Sequence, residues 1–317
     1  MGSVPGPADD AFHPRPTGDI GWTETMWLSF AAPDRQLTGV VYAVFRPNLS
    51  VGSLGVWVWD DSARLESDCV YFQNHVHQPL PPRLEDTELP CGFRYAVLEA
   101  NSRYHVSFDD DAELSLDLDL RAIHGPTFRE MAGETVGWNI LGHVKGAMTL
   151  NGEHLDIDCI EFIGRSWSPR PDQRMVVRPS LDGALLSHTD TYAATPDRAF
   201  FVSTMGGLDE TEVLSGSVFR NGETRTVASG HRRVTRHPEH GYPLEVVVDL
   251  VDSTGEELHA TGRCVNQLLM ASAPGVPFPF WVCGTQWDLD GEPAWGQDQL
   301  VPIGRPAPRL NPSSATS

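Results

Sequence analysis

Residues 157–170 read IDCIEFIGRSWSPR, almost at the midpoint of a 317-residue chain. The stretch opens with the alternation of a strand, in which successive side chains point to opposite faces. It closes in a polar, aromatic cluster, Arg165, Trp167 and Arg170, that Pro169 interrupts. A strand that runs into such a cluster in mid-chain reads as a junction between two β-rich halves that is also a site.

Working outward, residues 113–121 (ELSLDLDLR) put Leu114, Leu116, Leu118 and Leu120 on one face and polar residues on the other. That is the period-two pattern of a strand with one wet face. Residues 38–45, 55–59, 67–73, 93–98, 104–108, 137–150 and 155–163 also read as strands. So do 184–193, 199–205, 212–220, 223–235, 244–251, 257–269 and 281–289. Asn151-Gly152, Asn221-Gly222, Ser253-Thr254-Gly255 and Asp290-Gly291 separate them as turns. Helix signals are confined to 126–133 and 169–175. Many short, evenly spaced strands predict an all-β chain of two antiparallel β-barrel-like domains in tandem, at 20–163 and 164–304. A flexible N-terminus (1–19) and a disordered tail (305–317) are expected around them.

A hydrophobic content of 40% and an aromatic content of 9% supply a core. The net charge of −20 argues against nucleic acid and anionic membrane as partners and for a neutral or apolar small molecule. A homodimer is admitted as a further partner. Five cysteines, at 69, 91, 159, 264 and 283, form no Cys-x-x-Cys pair, which suits reduced thiols and a cytoplasmic location. The first 19 residues lack the basic and apolar regions of a signal peptide. No apolar run is long enough for a transmembrane helix, so no membrane insertion is expected. Neither a Gly-rich phosphate loop nor a Gly-x-Ser-x-Gly elbow is present, and no cofactor is expected. Nine tryptophans fit a ligand cavity and an ordinary aromatic core equally.

Asn151-Gly152-Glu153, Ile157-Asp158-Cys159 and the run from Arg165 to Arg170 together resemble the joint of the two-domain lipocalin-like (calycin) proteins. These are the hydroxyneurosporene synthase, tocopherol cyclase and AttH group, here in its bacterial branch of mostly unassigned function. The aromatic opening at 22–27, Arg46-Pro47-Asn48-Leu49 and Gly296-Gln297-Asp298-Gln299 agree in position, so the resemblance spans about 20–305. The chain departs from the pattern at Gly164, where the group carries Asp, at Ser168, where it carries Gly, and at Gln297, where it carries Glu. The resemblance implies a cofactor-independent lyase or isomerase. Such an enzyme hydrates, dehydrates or cyclises a hydrophobic terpenoid, steroid-like or polyketide molecule. A non-catalytic carrier of such a molecule is the alternative. The chemistry needs a carboxylic acid or His in a water-poor pocket, and aromatic walls that stabilise a developing cation.

The catalytic candidates are Asp158, His143, His124 and Asp190. Asp158 and Glu161 lie three apart, on opposite faces of a strand, and are no carboxylate pair. Asp158 reads either as part of a solvated face or as an inward group that orients Arg165. His143 stands shortly before the 151–153 turn; a His on a strand is more often structural, yet it is the usual acid–base group near neutrality. Asp190 shares a face with His188 and Tyr192, which is either exposed or a polar patch in the second barrel or at the seam. The substrate-binding candidates are Trp22, Trp27, Arg165, Trp167, Tyr192 and Trp281. Arg165 and Trp167 serve equally well as an inter-domain clamp. His75 and His77 share a face but lack a third ligand at a suitable spacing, so no metal is expected.

Overall fold

The computed structural model describes residues 5–14, 18–110, 113–131, 134–169, 187–274, 276 and 279–302. Arg170, the second helix signal (169–175) beyond Pro169 and the tail at 305–317 lie outside them. The first half comprises β1 (Trp22–Ala32), β2 (Leu37–Arg46), β3 (Val51–Trp59), β4 (Tyr71–Pro79), β5 (Asp86–Glu88) and β6 (Arg94–Glu99). It continues with β7 (Arg103–Asp109), β8 (Leu114–Ala122), β9 (Thr127–Met131), β10 (Glu134–Leu150) and β11 (Glu153–Pro169). These strands form one antiparallel sheet in the order β4-β3-β2-β1-β11-β10-β8-β7-β6-β5, with β9 paired to β10. The sheet curls into a half-barrel and does not close. Its edge strands show why: β4 ends at Pro79, β5 is three residues long, and Pro81, Pro82 and Pro90 remove ladder donors between and beyond them.

The second half is a closed antiparallel barrel of β12 (Ser187–Ala194), β13 (Arg198–Gly206), β14 (Glu210–Arg220), β15 (Glu223–Arg236), β16 (Pro243–Asp252), β17 (Glu257–Met270), β18 (Phe280–Leu289) and β19 (Glu292–Pro302). The all-β, tandem barrel-like architecture read from the sequence is thus observed. Asn151-Gly152, Asn221-Gly222 and Asp290-Gly291 take positive φ at both positions (51° and 84°, 49° and 86°, 52° and 90°), as two-residue primed hairpin turns require. In β8 the four leucines are buried and Ser115, Asp117 and Asp119 are exposed.

Three apolar cores result. One fills the half-barrel, around Trp138, Tyr104, Phe108 and the leucines of β8. One fills the closed barrel, around Phe200, Val246, Val248 and Trp287. The third lies between them, where Trp27, Tyr42, Trp59 and Phe162 of the half-barrel meet Tyr192, Phe201, Leu268 and Phe280 on the barrel's outer wall. β11 records this change of environment. Its burial alternates up to Ile160 and is continuous from Glu161 to Arg165, where the barrel covers its second face. Position 163/164 falls within this strand, which keeps its pairing with β1 through Pro169.

Two expectations are corrected. The helix signal at 126–133 is β9, whose backbone pairs with Glu134–Asn139 of β10. The N-terminus is docked over residues 5–14. A 3-10 turn, Pro7–Asp10, sits against the half-barrel, and buried Asp10 accepts hydrogen bonds from the Asn101 amide (3.1 Å) and the Tyr104 hydroxyl (3.2 Å). The Arg165 guanidinium draws this strap in, because it needs acceptors that the sheet alone does not supply.

Candidate active site at the seam

The pairing of β1 with β11 stops at Leu28 opposite Ile163, although β1 continues along β2 to Ala32 and β11 continues along β10 to Glu153. The sheet therefore opens as a wedge between β1 and β11. Two side chains of the barrel reach Glu161 there. The Trp295 indole N–H donates to Glu161 Oε1 at 2.8 Å, and the Tyr192 hydroxyl donates to Oε2. Glu161 and Tyr192 are wholly buried. Burial pushes the Glu161 carboxyl up to about 7, against the opposing pull of Tyr192, Trp295, the Phe162 amide and Gln297. The same burial, with the carboxylate beside it, raises the Tyr192 phenol. Rings of Phe162 and Phe201 stand 5.3 and 6.0 Å from Tyr192.

At the mouth of the wedge is a cleft of about 710 Å³, whose walls include His143, Asp158, Ile160, Arg263, Trp287 and Trp295. Trp295 separates this cleft from Glu161. His143 is half-buried, and its ring makes no hydrogen bond with the described residues. A second cavity, of about 130 Å³, lies along the same seam against Trp27, Tyr42, Phe162, Gly164, Asp190 and Phe280. Gln299 also lines it, and its amide donates to Gln297 Oε1 at 3.3 Å.

The structure distributes the residues singled out by sequence unevenly. His143 and Asp158 line the larger cleft, and Trp27 and Asp190 the smaller, with Tyr192 between them. Asp158 does not point inward and does not orient Arg165. Its side chain is 66% exposed and pairs with Lys145 at 3.0 Å. Parity decides this, since the inward face of β11 carries Ile157, Cys159, Ile163 and Trp167, hence the odd positions. Arg165 is held instead by Glu24 (3.2 Å) and the carbonyls of Asp10 (3.0 Å) and Thr25 (3.2 Å), all inside the half-barrel. Trp22 donates to the same Glu24 at 3.3 Å, and Trp167 stacks on His13 at 3.6 Å, so these two tryptophans belong to that inner cluster and not to the seam. His124 lies just past β8 against the Phe219 ring, hydrogen-bonded to the Gly125 carbonyl, and burial lowers its pKa. Trp281 packs at the barrel interior and against Tyr242.

Glu161, Trp295, Glu24 and His13 were not singled out by sequence. Glu161 had a readable signal, as a lone carboxylate in register with the apolar residues of its strand. Two of the three departures from the resembled pattern, Gly164 and Gln297, fall on this seam.

An open half-barrel packed on a closed eight-stranded barrel, with a buried acid and two clefts between them, defines a class of all-β proteins with a cleft-lined seam. The chain belongs to the family described as a domain of unknown function, DUF7064, which matches residues 6–298. No curated protein matches it. Among solved structures it is similar to an AttH-type protein from Nitrosomonas europaea, at 14% identity and a TM-score of 0.55, over 88% of this chain and 91% of that one. It is similar to CghA in complex with Sch210972, at 11% identity and a TM-score of 0.54, over 94% and 96% of the two chains. It is also similar to kievitone hydratase from Nectria haematococca, at 14% identity and a TM-score of 0.52, over 89% of each chain. These likenesses show the shared fold, and at that level the AttH resemblance read from the sequence holds.

Proposed function

We propose that the protein is a cofactor-independent lyase or isomerase that hydrates, dehydrates or cyclises a hydrophobic terpenoid, steroid-like or polyketide molecule in the larger cleft. The observation that carries this reading is Glu161, a wholly buried carboxyl held near neutrality, one indole away from a cleft of small-molecule size. His143, on the cleft wall, is the group that exchanges a proton with the substrate. Glu161 is a positioning residue. As a carboxylate it accepts from the Trp295 indole and makes that ring more electron-rich, which strengthens its attraction for a cation developing in the cleft. Trp287, Ile160 and Trp295 exclude water from the reacting carbons. The kinship of fold with kievitone hydratase and with CghA, which is solved with a small molecule bound, supports the same reading.

A carrier is the second reading, favoured by the fact that Trp295 covers Glu161. One experiment separates the two. An organic extract of the purified protein is analysed by mass spectrometry, and the apolar compound found is returned to fresh protein in H₂¹⁸O or D₂O. Isotope incorporation or isomerisation by wild type, falling at least about 100-fold in His143→Ala as expected for a lost acid–base group, supports the enzyme. A compound that binds and is recovered unchanged and unlabelled makes the protein a carrier.

A further inference from the structure

The outer wall of the closed barrel carries one continuous row of side chains along the larger cleft. Strand register sets Glu245 of β16 beside Arg263 of β17, Arg263 beside Gln286 of β18, and Gln286 beside Trp295 of β19. All four line the cleft. Side chains in register share a face, so the row runs from an acid through a base and an amide to the indole that covers Glu161. Strands lie about 4.8 Å apart, which puts Arg263 about 10 Å from Trp295 along the row. The Arg263 guanidinium does not use the carboxylate beside it. Its Nη2 donates to Gln286 Oε1 at 2.6 Å, on the Trp295 side, and it forms no ion pair with any described residue, although Glu245 is its cross-strand neighbour. That bond sets the guanidinium plane and occupies the Gln286 oxygen. What the two side chains offer a ligand is therefore donors, the remaining guanidinium N–H groups and the Gln286 NH₂.

Arg263 is the one fixed cation among the residues that line the cleft. Two of the carboxylates there are engaged elsewhere. Asp158 pairs with Lys145 at 3.0 Å, and Asp288 Oδ1 accepts the Gly291 amide at 2.6 Å in the last hairpin. A planar guanidinium holds a carboxylate through two parallel hydrogen bonds. A wholly apolar ligand would instead cover the Arg263 charge without supplying a partner. The net charge of −20 leaves room for an anion at this point, because at physiological salt charges more than about 8 Å away are largely screened. We propose, resting on the reading above only for the choice of cleft, that the ligand is an amphipathic carboxylate. Its carboxylate sits on Arg263 and Gln286, and its apolar body extends over Trp295 toward His143. Arg263 is then the specificity-determining residue of the cleft.

The test titrates octanoate and octanamide, which share a chain and differ in charge, into the full-length protein by calorimetry. Octanoate is expected to bind at least about tenfold more tightly, the effect of one charge-assisted pair. Arg263→Gln should remove that advantage and leave octanamide unchanged. Butanoate, too short to reach from Arg263 to Trp295, should bind at least about tenfold more weakly than octanoate. His143→Ala should leave octanoate binding intact, so that failure here, read from binding, and failure of the acid–base reading, read from turnover, are told apart. Equal affinities for octanoate and octanamide would show a cleft indifferent to charge and overturn the proposal. So would the absence of saturable octanoate binding, or undiminished octanoate binding in Arg263→Gln with a native circular-dichroism spectrum.

Discussion

A carboxyl group taken out of water shifts its pKa unless partners replace the lost hydration. Glu161 has Tyr192 and Trp295 as partners and is still raised from 4.5 to about 7. Its folded pKa lies above its unfolded one, so between the two the native state binds more protons. The corresponding stability is fully present below about pH 4.5 and is lost as pH rises through about 7. At 1.36 kcal/mol per pKa unit, the difference across that window is about 3 kcal/mol. Urea unfolding at pH 5 and pH 8 should therefore show a pH difference in the wild type that Glu161→Gln removes. If the variant keeps the whole difference, Glu161 is not the titrating group. Asp158, two strand positions from Ile160 and on the same face, is exposed and pairs with Lys145.

At the scale of elements, β11 joins everything that matters. Its inward face carries Glu161 to the wedge and Arg165 to the strap, and its outward face carries Phe162 to the seam. The strap is the element whose role was invisible in the sequence. Residues 5–14 are rich in Pro and Asp, a composition that reads as a flexible end, but the Asp10 carbonyl and His13 complete a buried Arg165–Glu24 pair. Breaking a buried pair by removing one of its members costs about 3–5 kcal/mol, and removing the groups that support it costs a part of that. Deleting residues 1–13 should consequently lower the thermal midpoint by several degrees or more, measured by circular dichroism. An unchanged midpoint would mean that water replaces the strap at no cost. The strands themselves were legible. β8 is readable from its leucines alone, and the Asn-Gly and Asp-Gly hairpins from their turn residues, because both rest on local rules of pleat and φ. β9 was misread because five residues give neither period enough length to stand out.

Across the whole molecule, the third core makes the two halves one cooperative object. Trp27, Tyr42 and Phe162 from one half and Tyr192, Phe201 and Phe280 from the other share it. Thermal unfolding followed by tryptophan fluorescence and by far-ultraviolet circular dichroism should give coincident single transitions. Two resolved transitions would show that the halves unfold independently and that the seam contributes little to stability. The sequence by itself determined the all-β class, the tandem plan and most hairpins, since alternation and turn chemistry act over a few residues. It also pointed to the central strand as the place where the halves meet. Only the tertiary structure decided which carboxylate in that strand is the buried one, that the first half stays open, and that an N-terminal strap completes it. The physical reason is that pKa, burial and ion pairing depend on what packs against a residue from distant parts of the chain. Tyr192 and Trp295 reach Glu161 from 31 and 134 positions away, and no local pattern encodes that approach.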